Sequence, residues 1–223
     1  RIAEAGFKVI EAWFPELHLK DDLAKLRKAY EAAGLKLNNI VANSPDGGIG
    51  GTLTNPADRP KYIERMGYSL KCCKELGCSM MITCVGNTQP ALSRAVQRNS
   101  IIDGLKAASD LAYKAGVTLV LEPLNSLVDH HGYFLDDPYD AADIVRAVHH
   151  PSVGLLFDCY HMQIMKGNLI QAIRDNIDVI RHFHSAGVPG RHELDSGELN
   201  YPQILEAIAQ SGYQGCFGLN TSR

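Results

Sequence analysis

Four short apolar runs in the second half of the chain each end on a side chain that can bind a metal ion, or nearly can: LVLE at Glu122, VGLLFD at Asp158, VIRHFH at His184 and GCFGLN at Asn220. Successive tips are 36, 26 and 36 residues apart, each interval long enough for a loop and a crossover helix before the next parallel strand. The spacing therefore predicts four polar tips at one end of one sheet. The carboxyl ends of parallel strands are where α/β folds hold their chemistry.

Glu122 is followed by Pro123, which cannot continue ladder pairing and releases the chain into NSLVDHHGYFLDDP. A carboxylate at that junction either pairs with a neighbouring cation or binds a divalent metal. In FDCYH, Asp158 is expected to point into the mouth of the fold, with His161 lining the same cavity from a loop. The plainer reading of His161 is a semi-buried histidine satisfied by its neighbours. Side chains alternate along a strand, so His182 and His184 share one face and Phe183 takes the other. A barrel lumen is normally filled by branched apolar groups, and two histidines there require a polar explanation. Oxygen donors with one imidazole suit Mg²⁺ or Mn²⁺ better than a structural zinc.

The elements that must position these groups follow a rhythm. Gly6, Gly34, Gly77, Gly116 and Gly212 each close a helical pattern and precede a β-rich run, as left-handed caps do before the next strand. On that reading RIAEAGF is the end of a helix and its cap. Leu23, Leu26, Tyr30 and Ala33 form one amphipathic face, and Ile101, Leu105, Ala108 and Ala112 another. Seven strands are expected: KVIEAW, LNNIVAN, SMMITCV, VTLVLE, VGLLFD, VIRHFH and GCFGLN. Near-continuous apolar strands alternating with helices predict a TIM (β/α)₈ barrel forming a single domain over residues 1–223. The count of seven places the first strand upstream of Arg1, and the closing helix has no room after TSR.

A chain of 223 residues with 45% hydrophobic and 21% charged residues can bury a sizeable core. A net charge of −3 without a basic run argues against a nucleic-acid partner. No apolar stretch approaches the ~20 residues of a membrane span, and the first residues lack a signal-peptide pattern, so a cytoplasmic protein with a small-molecule partner is expected. The six cysteines form no CxxC pair, and buried free thiols are the expectation, Cys159 included.

Four strings, LVLEPLN, GLLFDCYHMQIMKGNL, HFHSAGVPGRHELDSGELNYP and GYQGCFGLN, carry a family resemblance. The chain resembles the hydroxypyruvate isomerase family of the xylose-isomerase-like TIM barrel superfamily, from AGFKVIEAWFP across nearly its whole length. The stretch from Gly154 to Pro202 is the specific part, and a weaker similarity reaches the ketose 3-epimerases. The resemblance implies a divalent metal, Mg²⁺ or Mn²⁺, at Glu122, Asp158, His184 and Asn220. It implies proton transfer at Glu122 and at the position of Asn220, substrate contacts from His161 and Arg191, and a homo-oligomer, dimer or tetramer.

Asn220 departs from the family, which carries glutamate there in a Gly-Leu-Glu or Gly-Cys-Glu context, whereas this chain reads GLN. An amide oxygen can coordinate a hard cation but cannot accept a proton near neutral pH. The reaction implied is interconversion of hydroxypyruvate and tartronate semialdehyde through an enediolate, with Glu122 as base and Arg191 gripping the substrate carboxylate, unless GRHELDSGE is a solvated charged loop. Epimerisation needs two opposed proton-transfer groups, so Asn220 favours an isomerase over a 3-epimerase. A catalytically impaired sugar or keto-acid binding homologue is a further alternative. A DNA-repair endonuclease of the same superfamily would need a basic groove and ligands for three metals.

Overall fold

The computed structural model describes residues 2–19 and 22–221. Among them are seven strands in one parallel sheet, paired strictly in chain order: β1 (Val9–Ala12), β2 (Lys36–Val41), β3 (Met80–Thr83), β4 (Thr118–Leu121), β5 (Val153–Asp158), β6 (Ile180–Ser185) and β7 (Phe217–Leu219). Helices α2 (Leu23–Ala32), α3 (Arg59–Leu76), α4 (Arg94–Lys114), α5 (Pro138–Val148), α7 (Leu169–Asn176) and α8 (Tyr201–Gln210) are the crossovers. Two short helices lie near strand ends: α1 (Pro15–Leu19), two residues past β1, and α6 (Cys159–Met165), directly after β5. This is a TIM barrel. All seven expected strands are present, in a sheet whose order never reverses.

The glycines act as expected where the chain leaves a helix: Gly77 caps α3 at φ 72°, and Gly34, Gly116 and Gly212 hold positive φ at the equivalent turns. At Gly6 the expectation of a helix end is corrected. The described residues there form a hydrogen-bonded turn from Gly6 N to Ala3 O. In α4 the predicted face of Ile101, Leu105, Ala108 and Ala112 is entirely buried, and each large aliphatic side chain so buried contributes about 1.5–3 kcal/mol. In α2, Leu23 and Tyr30 are buried but Ala33 is exposed, because the helix ends at Ala32 and its periodicity stops there.

The lumen of the barrel is divided. Ile82, Val120 and Leu156, from three adjacent strands, form a small apolar cluster of their own. Elsewhere the lumen is polar: Asn39 and His182, both almost fully buried, lie 3.4 Å apart, and Glu11 bonds the same His182 ring. Side chains two residues further along a strand face the same way. Glu122, Asp158, His184 and Asn220 therefore face the same way as Val120, Leu156, His182 and Gly218, two residues before each of them, at the carboxyl ends of the strands. All cysteines are free, and five of the six are buried, Cys159 among them. No helix among the described residues is long and apolar enough to cross a membrane.

Candidate active site

A cavity of ≈ 530 Å³ opens at the carboxyl ends of the strands, and Glu122, His161, His184, Arg191 and Asn220 all line it. Asp158 lies beneath them, fully buried.

Glu122 stands one residue beyond β4, its N–H bonded to Thr83 O at 3.1 Å. Its own carbonyl accepts from the buried Tyr133 hydroxyl at 3.0 Å. Both backbone groups are thus tied down where Pro123 ends the ladder, leaving the side chain to face the cavity. Asp158 ends β5 and caps α6: one carboxylate oxygen accepts from Tyr160 N at 2.8 Å and His161 N at 3.4 Å. The other oxygen, Oδ2, is buried without a hydrogen-bond partner.

His161 lies on the first turn of α6, not on a loop as expected, because the Asp158 cap starts a helix directly at the strand end. Its Nδ1 accepts from Asn125 N at 3.2 Å and lies 2.7 Å from the Asn125 side-chain amide. Burial pushes its pKa down to about 3, so the ring is neutral. With Nδ1 accepting, the remaining proton sits on Nε2, which faces Asp158 Oδ2 at 3.7 Å.

His184 Nδ1 is the common neighbour of the other tips: 3.5 Å from Glu122 Oε1, 3.9 Å from Asp158 Oδ2 and 3.5 Å from the Asn220 amide. Burial by itself would lower the pKa of this imidazole, but the carboxylates of Glu11 and Glu122 outweigh it and raise it to about 10. Asn220 is held just past β7 by its N–H to Ser185 O at 2.9 Å. Its carbonyl accepts from Arg191 Nε at 3.0 Å. Arg191 Cζ lies 5.0 Å over the Tyr160 ring, with Nη1 3.8 Å from Asp129.

A divalent cation fits this donor set on two observations. Asp158 Oδ2 is a buried carboxylate oxygen with nothing bonded to it, a costly arrangement unless a cation satisfies it. Glu122 Oε1 and Asp158 Oδ2 also lie 3.5 and 3.9 Å from the same atom, His184 Nδ1. A half-turn of the Asn220 amide presents oxygen in place of nitrogen to the same centre. Oxygen donors dominate the set, as hard cations require.

Of the site residues predicted from the sequence, Glu122, His161, His184, Arg191 and Asn220 line one cavity, with Asp158 buried next to His184. Two that sequence patterns do not single out are Glu11, from within β1, and His130, from the loop after Glu122; both line the cavity. Glu11 bonds His182 Nε2 and His184 Nε2, each at 2.7 Å. The signal for it is an acid inside an otherwise apolar strand, VIEA. The His130 ring packs at a tilt 5.5 Å from the His161 ring, and burial lowers its pKa.

A family model described as "Xylose isomerase-like TIM barrel" matches residues 1–223. The chain belongs to that family. It is 33% identical over 218 residues to 2-oxo-tetronate isomerase of Cupriavidus necator, covering 97% of this chain and 82% of the relative. It is 27% identical over 222 residues to hydroxypyruvate isomerase of Escherichia coli, covering 98% and 84%. Among solved structures, AP endonuclease, family 2, from Brucella melitensis superposes with a TM-score of 0.90 at 28% identity, over 99% of this chain and 84% of that one. The curated relatives named for a reaction are isomerases, and this chain is an isomerase of the family.

Proposed function

We propose that the protein interconverts hydroxypyruvate and tartronate semialdehyde (2-hydroxy-3-oxopropanoate) through an enediolate, with a divalent cation, Mg²⁺ or Mn²⁺, held by Glu122, Asp158, His184 and Asn220. The supporting observation is the convergence of Glu122 Oε1 and the unpartnered Asp158 Oδ2 on His184 Nδ1, within 3.9 Å, in a cavity that Arg191 also lines. When bound, the cation supplies Lewis-acid stabilisation of the developing oxyanion.

The chain's own groups do the rest. Arg191, its guanidinium plane fixed by Tyr160 and the Asn220 carbonyl, takes the substrate carboxylate with the fork geometry that suits it. That places the hydroxymethyl carbon toward Glu122, which removes a proton from C3 and, after exchange with solvent, delivers one to C2, while the hydroxyl proton on O3 passes to O2. His161, neutral and with its proton on Nε2, donates a hydrogen bond to the substrate oxygen that becomes negative. One carboxylate working on one face of a planar enediolate suffices for this transfer. A 3-epimerase needs a second acceptor opposite the first, and Asn220 cannot be one. An endonuclease needs a cationic groove, whereas among the described residues Arg191 is the single Lys or Arg lining the cavity.

Incubation of the protein with hydroxypyruvate and Mg²⁺ in heavy water, followed by NMR, tests the reading: tartronate semialdehyde carrying deuterium at C2 is expected. The four-carbon acid 2-oxo-tetronate, suggested by the Cupriavidus relative, belongs in the same assay. Asn220 favours a second reading, a homologue that binds the keto acid without turning it over. Saturable binding by calorimetry with no deuterium uptake would select it.

Two further outcomes are expected. Mn²⁺ at about one hundred times its Kd should stabilise the fold by about 2.7 kcal/mol, a rise of about 5–10 °C in Tm for a chain of this size. Asp158→Asn should abolish that rise, and thermal melts with and without chelator measure both. Arg191→Lys should raise KM about 10- to 100-fold with little change in kcat, because a charge-assisted pair worth about 1.5–3 kcal/mol is lost from ground and transition states alike. Steady-state kinetics checks it.

A further inference from the structure

Glu11 has no place in the proton transfer described above, yet it makes two short polar contacts at the cavity. Its two carboxylate oxygens each meet a different imidazole at 2.7 Å: Oε1 with His182 Nε2 and Oε2 with His184 Nε2. The two rings stand edge to face with centroids 4.9 Å apart, so one planar carboxylate spans both. Asn38 Nδ2 adds a longer bond to Oε1 at 3.4 Å. At 2.7 Å these are donor–acceptor contacts, and no ion fits between Glu11 and either ring.

The neighbouring strand leaves room for this arrangement. A Cβ on Gly218 would stand 2.9 Å from His184 Cδ2 and 3.0 Å from Glu11 Oε1, so the absence of a side chain there is what lets the pair sit side by side. The His184 ring is thereby held at both ends: Nε2 by Glu11, and Nδ1 aimed at Glu122, Asp158 and Asn220. A carboxylate that accepts from Nε2–H holds the proton on that nitrogen, so the proton that a cation has to displace from His184 is the one on Nδ1, which faces the cavity.

We propose that Glu11 is a positioning residue: by clamping His182 and His184 together it sets the tautomer and ring orientation of His184 so that Nδ1 serves the cation centre. His182, fully buried one layer below, is the anchor that holds the clamp in place. The inference rests on the metal-site reading proposed above, and its test separates the two.

Mn²⁺ affinity, followed by EPR of the free ion, and the visible spectrum of the Co²⁺-loaded protein are compared for wild type, Glu11→Gln, Gly218→Ala and His184→Ala. Glu11→Gln keeps the volume but can accept from only one imidazole, and Gly218→Ala presses on the clamp from the neighbouring strand. Both are expected to bind Mn²⁺ about 10- to 100-fold more weakly and to shift the Co²⁺ bands, while far-ultraviolet circular dichroism stays that of wild type. Wild-type affinity together with a wild-type Co²⁺ spectrum in both variants would overturn the clamp even if His184→Ala loses the metal. Absence of Mn²⁺ binding by wild type, or unchanged binding by His184→Ala, would remove the metal reading itself and the clamp with it.

Discussion

Replacing Asn220 with glutamate is expected to raise kcat for hydroxypyruvate by at least about 100-fold, since a positioned general acid or base contributes typically about 10²–10⁴-fold. The position is prepared for it. Asn220 is fixed by Ser185 O and by Arg191 through its backbone, not its side chain, and its amide already points at His184 Nδ1, 3.5 Å away. A carboxylate of the same direction would add a negative ligand to a centre that now holds Glu122 and Asp158. It would also supply a second group able to take a proton. Mn²⁺ should bind more tightly in the same variant, and the deuterium pattern of the product should broaden as two groups exchange protons with solvent. Turnover measured at saturating Mn²⁺ decides it: an unchanged rate means that the residue after β7 takes no part in the chemistry.

The opposite change is expected at Glu122. Glu122→Gln preserves an oxygen donor and the volume of a side chain that is only 7% exposed, so the cavity and its ligand binding should survive. What is lost is the proton acceptor, and with it about 10²–10⁴ in kcat and all deuterium incorporation from solvent. Because the amide weakens the metal site as well, the comparison must be made at saturating metal, with keto-acid binding followed separately by calorimetry. Retention of deuterium uptake in this variant would move the base to another residue.

How much of the fold and the site is legible in the chain depends on which interactions are local. The strand-end groups Glu122, Asp158, His184 and Asn220 are legible because an apolar run that ends on a polar residue, repeated at crossover spacing, is the mark of parallel strands sharing one polar mouth. The two-residue alternation then turns each of the four to the same side as the residue two positions before it. The capping by Asp158 is local too, but an Asp that closes an apolar strand gives no sign that a helix begins on the next residue. The sequence therefore places His161 on a loop, whereas the cap starts a helix that buries it. Arg191 lies in a segment without periodicity, at φ 60°. Its place against Tyr160 and the Asn220 carbonyl depends on packing that no pattern encodes.

Glu11 leaves only a weak mark in the sequence, for a different reason. An acid in a short strand reads as a solvated residue, and its meaning comes from histidines 171 and 173 positions away. The two histidines themselves announce a need for polar partners, since a barrel lumen does not bury imidazoles without cause. What the pattern lacks is the identity of the partner, which only the closing of the sheet around the lumen supplies.

Anomalous diffraction from a crystal soaked in Mn²⁺ tests the central claim most directly. One strong peak is expected at the carboxyl ends of the strands, about 2.0–2.3 Å from oxygens of Glu122 and Asp158 and from His184 Nδ1, with Asn220 turned to present its amide oxygen. A peak elsewhere on the protein, or none at that centre with Mn²⁺ in excess, would contradict it.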